Sequence, residues 1–214
     1  MEEYITIQKD EVAEITEKKS KFIANLYYIQ DVQDAETKIK EIRKIYHDAR
    51  HHCIAYRVLE SGNLIEKSSD DGEPSGTAGA PMLNILQKNN LCNVLVVVTR
   101  YFGGILLGTG GLVRAYTEVT QKAIEMASFV KSILGIEMQI RLDYPNLENF
   151  KYYCKMNDIK IINIEYLDDI IAKVQMEKNR KDNFVNDIER KNLKIKELQD
   201  LGEKYINKLV EKNK

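Results

Sequence analysis

Residues Val96–Tyr116 read VVVTRYFGGILLGTGGLVRAY, and this stretch decides the fold of the first half of the chain. Its β-branched start belongs to an apolar run that predicts a buried central strand over Val94–Thr99. Two glycine clusters follow the strand, and a long helix is predicted to begin at about Gly111. One face of that helix carries Leu112, Ala115, Val119, Ala123 and Ala127.

A strand that ends in glycine turns before a helix is typical of an anion site. The first N–H groups of a helix have no partner within it, its dipole end is positive, and glycines let a phosphate approach the backbone. The candidate anion or nucleic-acid site therefore comprises Arg100, Gly103, Gly104, Gly108, Gly110, Gly111 and Arg114. The string matches neither a Walker loop nor a Rossmann fingerprint. The alternative is that the glycines only allow close packing of helix on sheet.

An acidic loop precedes this region, since Ser68–Gly79 reads SSDDGEPSGTAG. Its three acids suggest Mg²⁺ ligands, but Asp-Gly and Glu-Pro are also ordinary turn chemistry, and we favour the turn interpretation. Ser75 and Thr77 join the candidate site, because their hydroxyls would reach the same anion if the two loops meet. An alternative role for Arg114 is to pair with an acid of this loop.

All three histidines, His47, His51 and His52, lie in one segment. The spacing of His47 and His51 would suit one helix face, but no third ligand follows at zinc spacing and HExxH is absent. We predict no metal site, no cofactor and no catalytic residue. The histidines are instead predicted to form a polar or phosphate-facing rim.

Further elements of the first half follow from periodicity and turn signals. We predict a strand over Lys21–Ile29, a helix capped by Asp31, and a strand over Cys53–Leu59. A hairpin partner is expected over Asn63–Ser68, and a helix from Pro81 to about Asn89.

The composition changes near Gly135, because ten of the eleven glycines lie in residues 1–135. We predict two domains, residues 1–134 and 135–214. The second has a strand, helix, strand, strand, helix, strand order, the βαββαβ pattern of a ferredoxin-like domain. A short helix is expected after Gly202.

Bulk properties exclude several classes of protein. The net charge of −1 in 214 residues argues against a strong sequence-blind nucleic-acid binder, although a local basic groove is compatible with it. The three cysteines form no CxxC pair and indicate free thiols in a reducing compartment. No secretory signal or membrane-spanning run is recognised, so we expect a cytoplasmic protein without a membrane partner.

Three strings resemble the YigZ/IMPACT family: Lys19–Ala24 (KSKFIA), Ser69–Leu83 (SDDGEPSGTAGAPML) and Val96–Tyr116. The resemblance implies an α/β (α+β) protein with a ribosomal-protein-like first domain of left-handed βαβ topology. It also implies a ferredoxin-like second domain similar to late domains of elongation factor G. It favours His51 as a functional residue and adds Lys21, from the first string, to the candidate site.

The resemblance also implies a role linked to translation. The first hypothesis is a regulatory or binding protein whose partner is RNA, the ribosome or a ribosome-associated protein. The alternative is a phosphate-handling enzyme, a hydrolase or a kinase-like protein, that uses the same groove. The sequence does not predict an oligomeric state.

Overall fold

A computed structural model describes residues 3–209 of the chain. The protein divides into two compact units, Glu3–Lys131 and Ser132–Lys208. The elements of the first unit are β1 (Glu3–Ile7), β2 (Glu11–Glu17), β3 (Ser20–Tyr28), α1 (Val32–Ile45), β4 (His51–Glu60), β5 (Asn63–Ser69), α2 (Gly79–Lys88), β6 (Val94–Tyr101) and α3 (Gly108–Met126).

Strand β6 lies at the centre of the first unit's sheet, as the sequence predicts. The strand order is β2-β3-β6-β4-β5, and each neighbouring pair is antiparallel. Alternate side chains of β6 enter two hydrophobic cores, one that includes residues of α2 and α3 and one that includes residues of α1. Both faces of β6 are therefore buried, which explains its unbroken apolar run. Strands β3 and β4 flank β6 and are joined through α1; the left hand of this crossover stays a prediction.

The caps and turns of the first unit follow from local chemistry. Asp31 caps α1 as predicted, accepting the N–H of Asp34 at 2.7 Å. Ser61 and Gly62 have φ values of 50° and 82° and connect β4 to β5, again at the predicted turn. Directly after β1, the Gln8 N–H donates to the Ser128 carbonyl at 2.8 Å.

The second unit has the predicted βαββαβ order. Its elements are β7 (Phe129–Leu142), α4 (Leu147–Met156), β8 (Lys160–Tyr166), β9 (Ile170–Glu177), α5 (Lys181–Glu189) and β10 (Glu197–Leu209). Strand β9 lies between β7 and β8, and β10 pairs with β7, which is the ferredoxin-like arrangement. The predicted boundary between residues 134 and 135 falls inside β7, and it stays a prediction.

The structure departs from the sequence prediction at two places. The first is the pair of strands β1 and β2, which were not predicted. The second follows Gly202, where a short helix was expected and β10 instead continues to Leu209. Leu201, Tyr205 and Leu209 are spaced four residues apart, which is also the spacing of one face of a helix. The segment is a strand because it pairs with β7. Residues 210–214 of that prediction lie outside the described residues.

Candidate functional site

Strand register puts two predicted site residues, Arg100 and His51, in one row across the sheet. Arg100 on β6 stands opposite Phe22 on β3 and His51 on β4, so these three side chains share one face of the sheet. Lys21 stands opposite Tyr101 and projects from the other face. Lys21 also pairs with Glu14 at 2.7 Å. The structure therefore separates Lys21 from the arginine with which the sequence grouped it.

The Arg100 guanidinium is buried in an ion pair. Its Nη1 donates to Glu73 Oε1 at 2.6 Å, and the two side chains are only 7% and 4% exposed. The guanidinium also lies over the rings of Phe22 and Phe102, at 5.4 and 5.6 Å from their centroids. Nη2 reaches Ser20 Oγ at 3.4 Å. An anion would have to displace Glu73 to reach Arg100.

Glu73 connects the acidic loop to α3 as well as to β6. The Tyr116 hydroxyl donates to Glu73 Oε1 at 2.8 Å, and burial, with nearby Cys53 and Glu73, raises the pKa of Tyr116. The Cys53 thiol donates to the Asp70 carbonyl at 3.0 Å and lies 3.3 Å from the Tyr116 hydroxyl. The network thus joins the acidic loop, β4, β6 and α3 through buried polar groups. Hydrogen bonds of such a buried network are strong where its members satisfy one another. Arg100 Nε is a buried atom of this network without a hydrogen-bond partner among residues 3–209.

The same burial makes Cys53 a poor nucleophile. Burial is the main cause that raises the pKa of the Cys53 thiol to about 12, above an ordinary thiol pKa of about 8.5. Burial likewise raises the pKa of Cys92, and it raises that of Cys154 to about 12. At neutral pH all three side chains are neutral thiols.

We therefore expect the folded protein to resist alkylation at pH 8. Iodoacetamide reacts with thiolates, and all three thiols are buried with raised pKa values. Mass spectrometry after a short exposure should find no adducts on the native chain, whereas the urea-unfolded chain should gain three. Rapid native modification of Cys53 would show a reactive thiol and contradict the buried network.

The other two acids of the loop are also engaged within the protein. Asp70 accepts the backbone N–H groups of Gly76, Ala78 and Gly79 at 2.8 to 2.9 Å. Partial burial alone would raise its pKa, but these hydrogen bonds outweigh burial and lower it. The turn interpretation of Asp70 is therefore the one that the geometry supports.

Asp71 closes the loop against its neighbours. Its carboxylate accepts Arg43 Nη2 and the His52 N–H, each at 2.6 Å. Burial opposes ionisation here too, but the Arg43 and His52 hydrogen bonds prevail and the pKa is lowered. Within residues 3–209 no group of three or more His, Cys, Asp or Glu side chains is arranged to hold a metal ion. Thr77 is 3% exposed and its hydroxyl donates to the Pro74 carbonyl at 2.6 Å, whereas Ser75 is exposed.

His51 is half-buried beside the acidic loop. Its Nδ1 lies 2.8 Å from the Asp71 carbonyl, and because a carbonyl only accepts, Nδ1 carries a proton. His47 follows the end of α1, and His51 begins β4. The two histidines therefore do not share a helix face, and their spacing of four has no zinc geometry.

The glycines of the two clusters serve different purposes. A Cβ added at Gly103 would lie 2.0 Å from the Lys19 carbonyl carbon, so this glycine permits a close backbone approach. Gly111 packs against Leu107 in the same way, at 2.8 Å. Gly104, Gly108 and Gly110 instead face open space: an added Cβ would meet nothing within 4 Å at the first two, and only Arg114 Nη1 at 3.9 Å at Gly110.

Arg114 is exposed near the start of α3. Its side chain forms no hydrogen bond or ion pair with any of residues 3–209. Pairing of Arg114 with the acidic loop, the alternative from the sequence, is not observed. Arg100 binds Glu73, Arg43 binds Asp71, and backbone N–H groups bind Asp70. The helix start carries no side-chain cap, since Leu107 stands at the N-cap position. Arg114 lies in the second turn of α3, but its side chain extends back toward the uncapped first turn, with Nη1 3.9 Å from the position of a Cβ at Gly110.

The structure brings several of the predicted site residues together around a contact that the sequence did not predict, the pair of Arg100 and Glu73. The strand row and the acidic loop bring Arg100, His51, Ser75 and Thr77 into one region, and Gly108 to Arg114 form the adjacent helix start. Glu73 was treated as one acid among three, and Ser20, Phe102 and Tyr116 were not assigned to the site. Arg100 and Tyr116 hold the Glu73 carboxylate, and both residues are distant from Glu73 in the sequence, so no local pattern distinguished Glu73 from the other two acids.

Comparisons with known proteins cover both units. The Impact N-terminal domain model matches residues 18–124, and the model described as Domain of unknown function (DUF1949) matches residues 140–190. "IMPACT family member YvyE" of Bacillus subtilis is 36% identical over 181 residues, 85% of this chain and 83% of that protein. "IMPACT family member YigZ" of Escherichia coli is 36% identical over 160 residues, 74% of this chain and 78% of that protein.

A solved structure also resembles the whole chain. It is described as "Crystal structure of an hypothetical protein", is 31% identical, covers 94% of this chain and 98% of its own, and has a TM-score of 0.63. None of the helices within residues 3–209 has both the length and the apolar character needed to cross a bilayer.

Proposed function

The chain belongs to the IMPACT family, and we propose that it is a cytoplasmic regulatory or binding protein of translation. Its partner in this proposal is RNA, the ribosome or a ribosome-associated component. The link to translation rests on what the family resemblance implies. The contact surface rests on the geometry of the first unit.

The observation that carries the contact surface is the unpaired Arg114. A cation within the first turn of a helix is unfavourable with the helix dipole by about 0.3–1 kcal/mol, and the effect falls off beyond that turn. The Arg114 guanidinium extends from the second turn toward Gly110 in the first, so it experiences at most this cost. All three acids of the acidic loop are bound by other groups, and no side chain of residues 3–209 forms an ion pair with Arg114. A phosphate bound between the guanidinium and the helix N–H groups would make both interactions favourable.

The proposed surface differs in detail from the full set of sequence candidates. Arg114, Gly108 and Gly110 form its exposed part, with Ser75 and His51 on its rim. Arg100, Gly103 and Thr77 are supports that hold the loops, because their polar or backbone groups are engaged inside the protein. Lys21 lies on the opposite face of the sheet and Gly104 in the preceding loop; both remain candidates for an extended partner.

Co-sedimentation with ribosomes tests this proposal. We expect the protein to pellet with ribosomes at low salt and to be released at high salt, because phosphate contacts lose affinity as counterions accumulate. A parallel screen with ATP and GTP tests the alternative of a phosphate-handling enzyme. Nucleotide binding or hydrolysis without ribosome binding would favour the enzyme and contradict the proposal.

A further inference from the structure

Two lysines form an unusual hairpin turn between β2 and β3. Glu17 stands opposite Ser20, so Lys18 and Lys19 are the two central residues of the turn. Their φ values are 44° and 66°, both in the left-handed region. A two-residue turn with two positive φ values favours Asn-Gly, and side chains such as lysine make it strained.

The other two turns of this kind in the first unit contain the expected glycine. Ser61 and Gly62 have φ values of 50° and 82°. Asp71 and Gly72 have φ values of 44° and 86°, and the Glu73 N–H donates to the Asp70 carbonyl across that turn. The Lys18–Lys19 turn therefore keeps two cations at a position where glycine would be more stable.

An exposed aromatic ring lies beside this turn. Phe102 is 53% exposed, and the Arg100 guanidinium lies 5.6 Å from its ring centroid. The next residue, Gly103, approaches the backbone of Lys19 closely, and its N–H donates to Ser20 Oγ at 3.1 Å. Phe102 is thus fixed next to the lysine turn while part of its ring faces solvent.

The lysines of the turn carry uncompensated charge. Lys18 and Lys19 are exposed, and neither forms an ion pair with any of residues 3–209. Glu17 is the adjacent acid, which leaves a net positive turn. A ring for base stacking beside cations for the backbone is the arrangement by which proteins bind single-stranded nucleic acid.

We propose that Phe102 and the Lys18–Lys19 turn form a subsite for one nucleotide of single-stranded RNA. The base stacks on the exposed side of Phe102, and the flanking phosphates contact the two lysines. This inference rests on the proposed function and specifies its ligand as single-stranded RNA. Duplex RNA would bind more weakly, because its bases are stacked within the helix and do not reach the ring.

Fluorescence anisotropy with a labelled twelve-nucleotide oligouridylate and a twelve-base-pair RNA duplex tests this subsite. We expect Phe102→Leu to weaken oligouridylate binding roughly tenfold, since stacking on one aromatic ring is lost while apolar bulk is kept. The double variant Lys18→Asn/Lys19→Gly should reduce the salt dependence of oligouridylate binding by about 1.4 in the log–log slope, from two lost phosphate contacts. It should also raise the melting temperature, because the new turn is less strained.

Matched variants test whether the ring and the two turn lysines act specifically. Leu106→Ser removes an 84% exposed apolar residue of the same loop, and Lys40→Gln/Lys44→Gln removes two exposed charges from α1. Both should leave oligouridylate binding within about twofold of wild type. A loss with Leu106→Ser equal to that with Phe102→Leu would indicate a general apolar docking surface and overturn the subsite.

Two different sets of results would overturn the subsite alone or the proposed function with it. Equal binding of duplex and single strand, with Phe102→Leu unaffected and Arg114→Ala weakened, would overturn only the subsite. Absence of binding to both RNAs, together with absence of ribosome co-sedimentation, would overturn the proposed function and the subsite with it.

Discussion

Replacing Glu73 with alanine should destabilise the first unit by about 3–5 kcal/mol. The change leaves the Arg100 guanidinium buried without a carboxylate, and an uncompensated buried charge carries a cost of this size. The Tyr116 hydroxyl loses its acceptor as well. Urea denaturation followed by circular dichroism should show a large decrease in the transition midpoint with little change in slope.

Two further variants identify the cause of that loss. Glu36→Ala removes an exposed pair with Lys67 at 2.9 Å and should cost about 0–1 kcal/mol. Combining Glu73→Ala with Arg100→Met removes the unpaired buried charge and should recover part of the lost stability. Replacement of a buried ion pair by apolar side chains often leaves the free energy of unfolding unchanged. A Glu73→Ala variant as stable as Glu36→Ala would show that the buried network does not hold the loop.

Gly103→Ala is the second change with a large expected effect. The new Cβ would lie 2.0 Å from the Lys19 carbonyl carbon and 2.4 Å from the Ser20 nitrogen, both backbone atoms. Neither backbone can yield easily, because the Lys18–Lys19 turn is held by the β2–β3 register. We expect a loss of about 3 kcal/mol, the upper part of the range for overpacking.

Other glycines of the same segment provide the controls. Gly110 is an exposed position of α3, and a Cβ added there would meet only Arg114 Nη1 at 3.9 Å. Gly110→Ala should therefore stabilise the protein by about 0.5–1 kcal/mol. Gly104→Ala meets no atom within 4 Å but has a φ of 82°, so only conformational strain of about 1–2 kcal/mol is expected. Equal decreases in melting temperature for Gly103→Ala, Gly104→Ala and Gly110→Ala would contradict the distinct roles assigned to these glycines.

Periodicity predicted the elements whose apolar pattern is strong. The unbroken run of β6 predicted its central position, and Asp31 predicted the start of α1. Strands β1 and β2 were missed because β1 has only five residues and β2 carries three glutamates among its apolar residues. The part of β10 after Gly202 was predicted as a helix because Leu201 and Tyr205 have helical spacing. These segments are strands because neighbouring strands pair with them, and pairing partners are not encoded in a local window.

The sequence could suggest which residue types belong to the candidate site, but it could not predict which arginine binds which acid. The sequence suggested Arg114 as the alternative partner of the acidic loop, whereas Arg100 is the arginine that binds Glu73. The register Phe22–Arg100–His51 turns Arg100 toward Glu73, and this register depends on three strands distant in sequence. The same register places Lys21 on the opposite face of the sheet from Arg100. The sequence of β3 alone could not show which of its residues stands beside Arg100.

The most direct test of the central claim is the RNA affinity of Arg114→Ala measured together with its melting temperature. Because Arg114 binds no other side chain of residues 3–209, the melting temperature should stay nearly unchanged. Affinity for oligouridylate should fall roughly tenfold, since a hydrogen bond to a charged group contributes about 1.5–3 kcal/mol and 1.4 kcal/mol is a factor of ten. Arg190→Ala, which removes an exposed arginine of the second unit, should change neither quantity. An Arg114→Ala variant that melts at a lower temperature and binds RNA as tightly as wild type would contradict the account.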